Sequence, residues 1–406
     1  MRAASTRGAA ARRAAAGALA AAVVALGACG PALREESFNW LDGSSERPSA
    51  TTLTIHPRWF RRLTTEGTGD YVPAERSRAA LDPFRDRVYI GTSEGYLFAM
   101  TGAGAVLYRY DAKASIASPP VLDRSADDLY VGTENGVLHR LTASTGELAW
   151  RVDIGGAITE RPLLLRDTVY IVADDDTVTA VERATGEPLW RVERPPPEAD
   201  FITRHAGLAL HDDRLMTGFT GGEVIALDPI DGALLWERDT TVDLEGSASA
   251  LARFADVDTT PVVIGEAVYV ASFAAGLYAL ELESGTVLWR DERRTGITAI
   301  AKVSDRELLL SSGDDGLSLY EIDRREVRWR KMAVRGAPSM AVVVGDRALF
   351  GETRGGLVTV NVRNGRELGR VELGHGIAAP PSVAAGRGFV LTNGGTFLAF
   401  ALTPDR

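Results

Sequence analysis

Val88-Tyr89-Ile90-Gly91-Thr92 is the stretch that decides the fold, because it returns at regular intervals along the chain. It comes back as Leu129-Tyr130-Val131-Gly132-Thr133, and less complete copies follow. The central residues of the eight copies are Tyr89, Tyr130, Tyr170, Met216, Tyr269, Leu309, Leu349 and Phe389. Successive central residues lie 41, 40, 46, 53, 40, 40 and 40 positions apart. A period of about 40 residues indicates an architecture built from repeats.

Each repeat has the same internal order of short apolar runs separated by Gly, Asp and Asn turns. A Pro-Val pair such as Pro261-Val262 comes first, then the central run, then an alternating stretch such as Gly276-Leu277-Tyr278-Ala279-Leu280. A turn such as Ser284-Gly285-Thr286 leads to a Trp-Arg run. In five repeats a tryptophan follows the central residue at one constant distance: Trp150, Trp190, Trp236, Trp289 and Trp329. Four short strands in about 40 residues are typical of one propeller blade. The sequence therefore predicts an all-β fold, an eight-bladed β-propeller of four-stranded blades.

The two ends of the repeat region predict how the ring closes. The eighth repeat would place its tryptophan strand beyond Arg406, whereas Trp59 lies among basic residues near the other end. We expect residues 51–63 to supply the outer strand of the last blade, so that the propeller spans residues 51–406. Closure removes two open sheet edges that would otherwise invite aggregation. We expect the six tryptophans from Trp59 to Trp329 to pack between blades rather than to stack on a ligand.

Residues 1–28 are predicted to be a secretion signal. They contain four arginines and no acidic residue, and their apolar run from Ala14 to Leu26 is too short to span a bilayer. The segment Leu26-Gly27-Ala28-Cys29 resembles the bacterial lipoprotein box, which implies lipid attachment (palmitate) at Cys29. Residues 29–50 would then be a lipid-anchored tether. The alternative is an ordinary signal peptide with a chance cysteine.

Composition excludes several classes of function. The net charge of −10 argues against a nucleic-acid partner, which would require a basic surface. A single cysteine excludes disulfide frameworks, thiolate zinc clusters and iron–sulfur sites. Gly91-Thr92-Ser93-Glu94-Gly95 matches a nucleophile motif, but the next repeat has no serine there, so a turn is predicted. We expect no catalytic residue and no metal.

Polar residues outside that motif are predicted to be ordinary surface groups. The five histidines form no metal-binding pair in the sequence, and each is expected to be solvated: His56, His139, His205, His211 and His375. The acidic turns Asp174-Asp175-Asp176 and Asp314-Asp315 lack the ligand spacing of a calcium loop and are expected to serve solubility.

The turn-and-tryptophan segments Thr145-Gly146-Glu147-Leu148-Ala149-Trp150 and Thr185-Gly186-Glu187-Pro188-Leu189-Trp190 resemble the repeat of the pyrroloquinoline-quinone (PQQ) dehydrogenase propellers. This resemblance implies the fold and leaves a lipid-anchored PQQ-dependent dehydrogenase as one alternative. Those enzymes often carry paired cysteines, a calcium site and a catalytic Asp, whereas this chain has one cysteine. We therefore expect no cofactor and no enzymatic activity.

Two intervals between successive central residues, of 46 and 53 positions, exceed the period of about 40 residues. Their extra residues fall at 193–207 and 239–258. Both stretches follow a tryptophan strand and precede the first strand of the next repeat. Adjacent blades would therefore place the two loops side by side on one face, where loops can lengthen without disturbing the core. We expect a binding function there.

Within the second loop, the segment from Arg253 to Val263 resembles the most recognisable part of the BamB family of outer-membrane assembly lipoproteins. The lipoprotein box and the eight repeats agree with that family. The resemblance implies that Asp256 and Asp258 bind a periplasmic POTRA domain of the barrel-assembly protein BamA. It implies the same for the stretch Phe201-Ile202-Thr203-Arg204, which is Leu-x-Leu-Arg in the family. This chain keeps Arg204, has Phe201 and Thr203 in place of the leucines, and offers Ile202 as an apolar contact.

The residues themselves allow two roles for the aspartates. Apolar anchors beside an arginine and paired carboxylates suit an interface hot spot. Alternatively, Asp256 and Asp258 bond the backbone amides of their own turn. One loop can serve both purposes, and both interpretations stay open.

The resemblance implies a non-enzymatic scaffold of the outer-membrane β-barrel assembly machinery. Its expected partners are the BamA POTRA domain, other subunits of the machinery and unfolded outer-membrane barrel proteins. By the same resemblance, Gly30 after the cysteine favours the outer membrane, with the propeller facing the periplasm. A generic propeller adaptor of another envelope complex is a further alternative.

Overall fold

The fold consists of eight four-stranded antiparallel sheets, each forming one blade. The structure is a computed structural model and describes residues 55–65, 75–194, 205–244, 254–332 and 335–402. In seven blades, four consecutive strands pair in sequence order. The predicted all-β, eight-bladed propeller is therefore confirmed.

The strands follow the repeat. The strand that closes the ring is β1 (Ile55–Arg62). Blade 1 has β2 (Ala80–Asp82), β3 (Arg87–Gly91), β4 (Tyr96–Thr101) and β5 (Val106–Asp111). Blade 2 has β6 (Val121–Asp123), β7 (Asp128–Gly132), β8 (Val137–Thr142) and β9 (Leu148–Asp153). Blade 3 has β10 (Leu163–Leu165), β11 (Thr168–Ala173), β12 (Thr177–Glu182) and β13 (Pro188–Glu193). Blade 4 has β14 (Ala209–His211), β15 (Arg214–Gly218), β16 (Glu223–Leu227) and β17 (Leu234–Asp239).

Blades 5 to 8 continue the pattern. Blade 5 has β18 (Val262–Ile264), β19 (Ala267–Ser272), β20 (Gly276–Glu281) and β21 (Val287–Asp291). Blade 6 has β22 (Ile297–Ser304), β23 (Glu307–Ser312), β24 (Gly316–Glu321) and β25 (Glu326–Lys331). Blade 7 has β26 (Val342–Val344), β27 (Arg347–Gly351), β28 (Leu357–Asn361) and β29 (Glu367–Val371). Blade 8 has β30 (Ser382–Ala384), β31 (Arg387–Leu391) and β32 (Thr396–Leu402), with β1 as its outer strand. A short 3-10 helix, Thr241–Leu244, follows β17.

The hydrophobic core lies between neighbouring blades. The second and third strands of each blade are buried on both faces, which explains their continuous apolar runs. For example, Tyr89 and Leu97 of blade 1 share a cluster with Leu129 and Val131 of blade 2. Outer strands alternate between exposed and half-buried residues, because one of their faces meets solvent.

The ring closes through β1, as the sequence predicts. β1 pairs with β32 in antiparallel register from Ile55 opposite Leu402 to Arg62 opposite Thr396, with one irregularity between Pro57 and Trp59. The Trp59 ring packs against two phenylalanines of blade 8, with centroids about 6 Å away. Its Nε1 donates a hydrogen bond to the Gly102 carbonyl of blade 1 at 2.9 Å. Trp59 thus joins the last blade to the first.

Each outer-strand tryptophan of this kind contacts the next blade. Five of them donate Nε1–H to a carbonyl of the following blade at 2.7–3.2 Å: Trp59, Trp150, Trp190, Trp236 and Trp329. A glycine with positive φ lies against each of these rings: Gly104, Gly186, Gly232, Gly285 and Gly365. This confirms that the rings pack between blades.

Three blades vary this contact, and blade 7 has Gly369 at the register position of the tryptophan. In blade 1, Tyr108 takes the place of the tryptophan and donates its hydroxyl to the Ala143 carbonyl at 2.9 Å. Against Trp289 of blade 5 the glycine is replaced by Arg325, which keeps a positive φ of 56°. Its guanidinium lies 5.3 Å from the centroid of the Trp289 ring. The arginine therefore covers the tryptophan with its side chain instead of its backbone.

The order of strands gives the ring two distinct faces. Four antiparallel strands begin and end on the same side, so every connection from an outer strand to the next blade lies on one side. We call this side the connection face; it also carries the turns between second and third strands. Segments that begin the first strands of all eight blades surround a central channel of about 660 Å³.

Candidate functional site

Three connections between blades are longer than the others. They comprise residues 63–79 before blade 1, 194–208 between blades 3 and 4, and 240–261 between blades 4 and 5. The remaining connections, such as 154–162 between blades 2 and 3, are shorter. The sequence predicts the second and third of the long connections. It also carries the signal for the first, because the interval from Trp59 to Tyr89 is half as long again as that from Trp150 to Tyr170.

A buried ion pair holds the end of the connection 194–208. His205 Nε2 lies 2.8 Å from Asp176 Oδ1, and its Nδ1 donates to the Ala206 carbonyl at 3.0 Å. Asp176 also accepts hydrogen bonds from the backbone N–H and the hydroxyl of Thr220. Asp176 and Thr220 lie in second-to-third strand turns of blades 3 and 4, so this cluster joins two blades at the connection face.

The hydrogen bonds favour the imidazolium form of His205. Burial alone would lower the pKa of His205, but the bonds to Asp176 and Ala206 and the charges of Asp176 and Asp174 raise it above its ordinary value. Burial would raise the pKa of Asp176, and the bonds from His205 and Thr220 lower it overall. Both shifts therefore favour the His⁺–Asp⁻ form of the pair.

The expectation that the histidines and acidic turns are surface groups is wrong at three positions. His205 and Asp176 are only 4% and 3% exposed. His139 is 2% exposed and shares a hydrogen bond with the Tyr110 hydroxyl at 2.9 Å. Burial, with the charge of Arg151, lowers the pKa of His139 to about 4. Turns of blades 3 and 4 cover His205 and Asp176, and Tyr110 of β5 packs against His139. No local sequence pattern indicates these contacts between blades.

Asp243 anchors the start of the connection 240–261. Its carboxylate accepts hydrogen bonds from Arg238 at 2.5 Å and from the Tyr278 hydroxyl at 2.8 Å, and Arg290 donates to its carbonyl oxygen at 3.3 Å. Burial would raise the pKa of Asp243, but these bonds and the nearby arginines lower it. The beginning of the loop is therefore fixed between blades 4 and 5, and Val242 beside it is 46% exposed.

The end of the same connection is packed into the ring. Val257 is buried against Gly218, and its N–H donates to the Phe219 carbonyl at 3.1 Å. Asp256 is fully buried and Asp258 is 8% exposed. The carbonyl of Asp256 accepts a hydrogen bond from the Phe273 N–H at 2.8 Å. This placement favours a positioning role for the two aspartates at the base of the loop.

Direct bonds join the bases of the two predicted loops. The Gly207 N–H, at the end of the first, donates to Thr260 Oγ1, at the end of the second, at 3.0 Å. Arg194, at the start of the first, donates to Glu237 of β17 at 2.5 Å. The two connections therefore leave the ring side by side on the connection face, as the repeat spacing predicts.

The other predicted site residues have different outcomes. Cys29, Phe201, Ile202 and Arg204 lie outside the described residues, as do the signal segment 1–28 and the tether 29–50. Ser93 lies in a turn between β3 and β4, as expected, and its hydroxyl donates to Glu75 at 2.7 Å.

The described part of the chain gives no metal centre. It contains no cluster of three or more His, Cys, Asp or Glu side chains that could hold an ion. The calcium that the dehydrogenase resemblance would imply therefore finds no site built from three such side chains in these ranges. In the same ranges, no helix combines the length and the apolar character needed to cross a bilayer.

Comparisons with solved structures support the fold. BamB from Moraxella catarrhalis superposes with a TM-score of 0.72 at 20% identity, covering 86% of this chain and 100% of the other. A quinohemoprotein alcohol dehydrogenase from Comamonas testosteroni superposes with a TM-score of 0.66 at 13% identity, covering 88% and 78%. At these identities the likeness is one of fold.

Sequence comparisons distinguish between the two families that share this fold. An outer membrane protein assembly factor BamB of Legionella pneumophila is 29% identical over 186 residues, 45% of this chain and 47% of that protein. One from Shewanella oneidensis is 25% identical over 267 residues, 64% and 66%. The alignments thus span about half to two thirds of these relatives. The model of the family described as "Outer membrane protein assembly factor BamB" matches residues 102–331 and 274–404. The chain belongs to this BamB family.

Proposed function

We propose that this protein is a non-enzymatic scaffold of the outer-membrane β-barrel assembly machinery and binds a POTRA domain of BamA. The observation that carries the proposal is the pair of long connections, 194–208 and 240–261, bonded together at their bases on one face. Membership of the family described as an outer membrane protein assembly factor supports the assignment to this machinery. Other subunits and unfolded barrel proteins are its further proposed partners.

The arrangement suits partner binding because it separates rigid bases from the loops they carry. Asp176, His205 and Asp243 fix where each loop leaves the ring. Asp256 and Asp258 belong to this buried base, and we assign them the role of holding the loop in position. Phe201, Ile202 and Arg204 would then make the contact, and Val242, exposed at the start of the second connection, would add to it. An apolar anchor next to an arginine is typical of interface hot spots.

In this proposal the membrane connection comes from lipid on Cys29. Several acyl chains on one residue hold a protein on a bilayer without a spanning helix. The propeller would face the periplasm, with residues 29–50 as the tether. Mass spectrometry of the isolated lipoprotein tests this directly: acylated Cys29 at the N-terminus is expected, and an unmodified cysteine within a longer chain would contradict it.

Binding is tested by co-purification of BamA with the full-length lipoprotein. Replacing Phe201 and Arg204 together by alanine should reduce recovered BamA at least tenfold, because hot-spot truncations cost about 2 kcal/mol or more. The matched control is Phe84→Ala with Arg85→Ala. It removes the same two residue types from the opposite face, where Phe84 is 84% exposed.

Unchanged recovery with the 201/204 variant would exclude this contact, and equal losses in both variants would show a non-specific effect. The variant Asp258→Asn tests separately whether Asp258 positions the loop or contacts the partner. If Asp258 only positions the loop, this near-isosteric change should weaken binding less than the 201/204 variant does. A larger loss would make Asp258 a contact residue.

A further inference from the structure

Three arginines line the central channel: Arg76 and Arg78 before β2, and Arg161 before β10. Among the described residues, none of them forms a salt bridge with a carboxylate. Arg78 alone has a hydrogen bond there, from its Nε to Ser382 Oγ at 3.3 Å. Ser382 in turn donates to the Ala79 carbonyl at 2.6 Å, so the serine is fixed and orients the guanidinium.

Two of these arginines, Arg78 and Arg161, lie close enough for their charges to interact. Burial lowers the pKa of both Arg78 and Arg161, and the charge of Arg161 lowers the pKa of Arg78 further. Glu160 and Asp258 also line the channel, but each has another interaction partner, and within the described residues neither offsets the charge of Arg78 or Arg161. Buried like charges in a cavity, with the pKa of one lowered by the other, are a sign of a binding site.

Fold stability and solubility do not account for this cluster. Holding like charges together costs free energy, and a chain with net charge −10 needs no additional charge in its interior to stay soluble. A guanidinium binds a carboxylate or a phosphate through two parallel hydrogen bonds. The group that would balance Arg78 and Arg161 is therefore an oxyanion.

We propose that the channel binds a small oxyanion carrying two or more negative charges, held between Arg78 and Arg161 with Arg76 nearby. The channel volume of about 660 Å³ is that of a small-molecule site and far below that of a folded domain. Thr298 and Ser339 on other blades also line it. This inference is independent of the proposed partner binding.

Isothermal titration of the full-length lipoprotein tests the site with two probes, citrate and inorganic pyrophosphate, at constant ionic strength in metal-free buffer. Saturable one-to-one binding of at least one probe is expected, with a dissociation constant below about 1 mM. The preferred probe tells whether the ligand carries carboxylates or phosphates. The variant Arg78→Gln with Arg161→Gln should bind at least ten times more weakly. Arg363→Gln with Arg366→Gln, the same loss of two charges at an exposed turn, should bind like the wild type.

Absence of saturable binding for both probes, or equal binding by the double variant, would overturn the proposal. A second measurement tests whether Arg161 instead stabilises the fold. Because Arg161 repels Arg78, the melting temperature of Arg161→Gln without ligand should equal or exceed that of the wild type. A lower melting temperature would show that Arg161 serves the fold, and would also overturn the proposal.

Discussion

At the scale of single residues, the blades are joined by a tryptophan of one blade lying flat on a glycine of the next. At Gly365 a Cβ atom would lie 2.5 Å from Cε3 of Trp329, and φ is +68°. Both the space and the backbone conformation therefore require glycine there. Gly386 has a similar φ of +74° but nothing within 4 Å of the Cβ position.

This pair separates the two costs. Gly386→Ala should lower the free energy of unfolding by about 1 kcal/mol, because it introduces only left-handed backbone strain. Gly365→Ala should lose about 2–4 kcal/mol in the free energy of unfolding, because overpacking against Trp329 adds to that strain. Urea denaturation of the two variants measures the difference. Equal losses would mean that the glycine–tryptophan contact does not stabilise the ring.

The His205–Asp176 pair predicts a pH dependence. Because the folded pKa of His205 is raised above 6.5, its stabilising effect is complete below pH 6.5 and is lost as pH rises through the raised value. The lowered pKa of Asp176 gives stability above pH 3.8 that is lost on further acidification.

We therefore expect the melting temperature of the wild type to fall between pH 6.5 and 9 more steeply than that of His205→Gln. His211→Gln is the control, because the His211 side chain is 44% exposed. Thermal melts at half-unit pH steps provide the measurement. Parallel profiles for wild type and His205→Gln would contradict the charged pair.

The sequence predicts the environment of a residue when that environment is set within one repeat, and fails when several blades set it together. Tyr89, Trp150 and Ser93 were predictable, because the repeat itself shows their position in a blade. His205 and Asp176 were not, because a turn of blade 3, a connection and a turn of blade 4 jointly bury them. Asp256 was predicted as a possible contact residue, and its burial depends in the same way on packing between blades.

At the scale of elements, β1 closes the ring between the first and last blades. Its pairing with β32 supplies the outer edge of blade 8, and Trp59 joins that blade to Gly102. The sequence predicted this strand from a single tryptophan with basic neighbours. The spacing from Trp59 to Tyr89 carries the signal for the long connection 63–79 as well, but that interval precedes the first repeat and therefore lies outside the spacing between repeats.

Trp59→Ala should open the closure. The loss of packing against Phe389 and Phe397 and of the bond to Gly102 should cost about 3 kcal/mol. Trp59→Phe keeps most of the packing and should cost about 1 kcal/mol for the hydrogen bond. Hydrogen exchange checks the location: amides of β32 should exchange much faster in Trp59→Ala, whereas those of β20 should change little. Uniform acceleration around the ring would contradict a local closure.

At the scale of the whole molecule, the ring has a connection face with long loops and an opposite face with short hairpins. Fold alone does not separate a scaffold from an enzyme, because BamB and quinohemoprotein dehydrogenases share this architecture. The family match supports the proposal of a scaffold. The bonded loop bases then suggest which face meets the partner.

Photo-crosslinking in intact cells tests that central claim most directly. A photoreactive amino acid replaces either Val242 on the connection face or Phe84 on the opposite face, both of which are exposed. We predict a crosslinked product that contains BamA from position 242 and none from position 84. BamA captured equally at both positions, or only at position 84, would contradict the account.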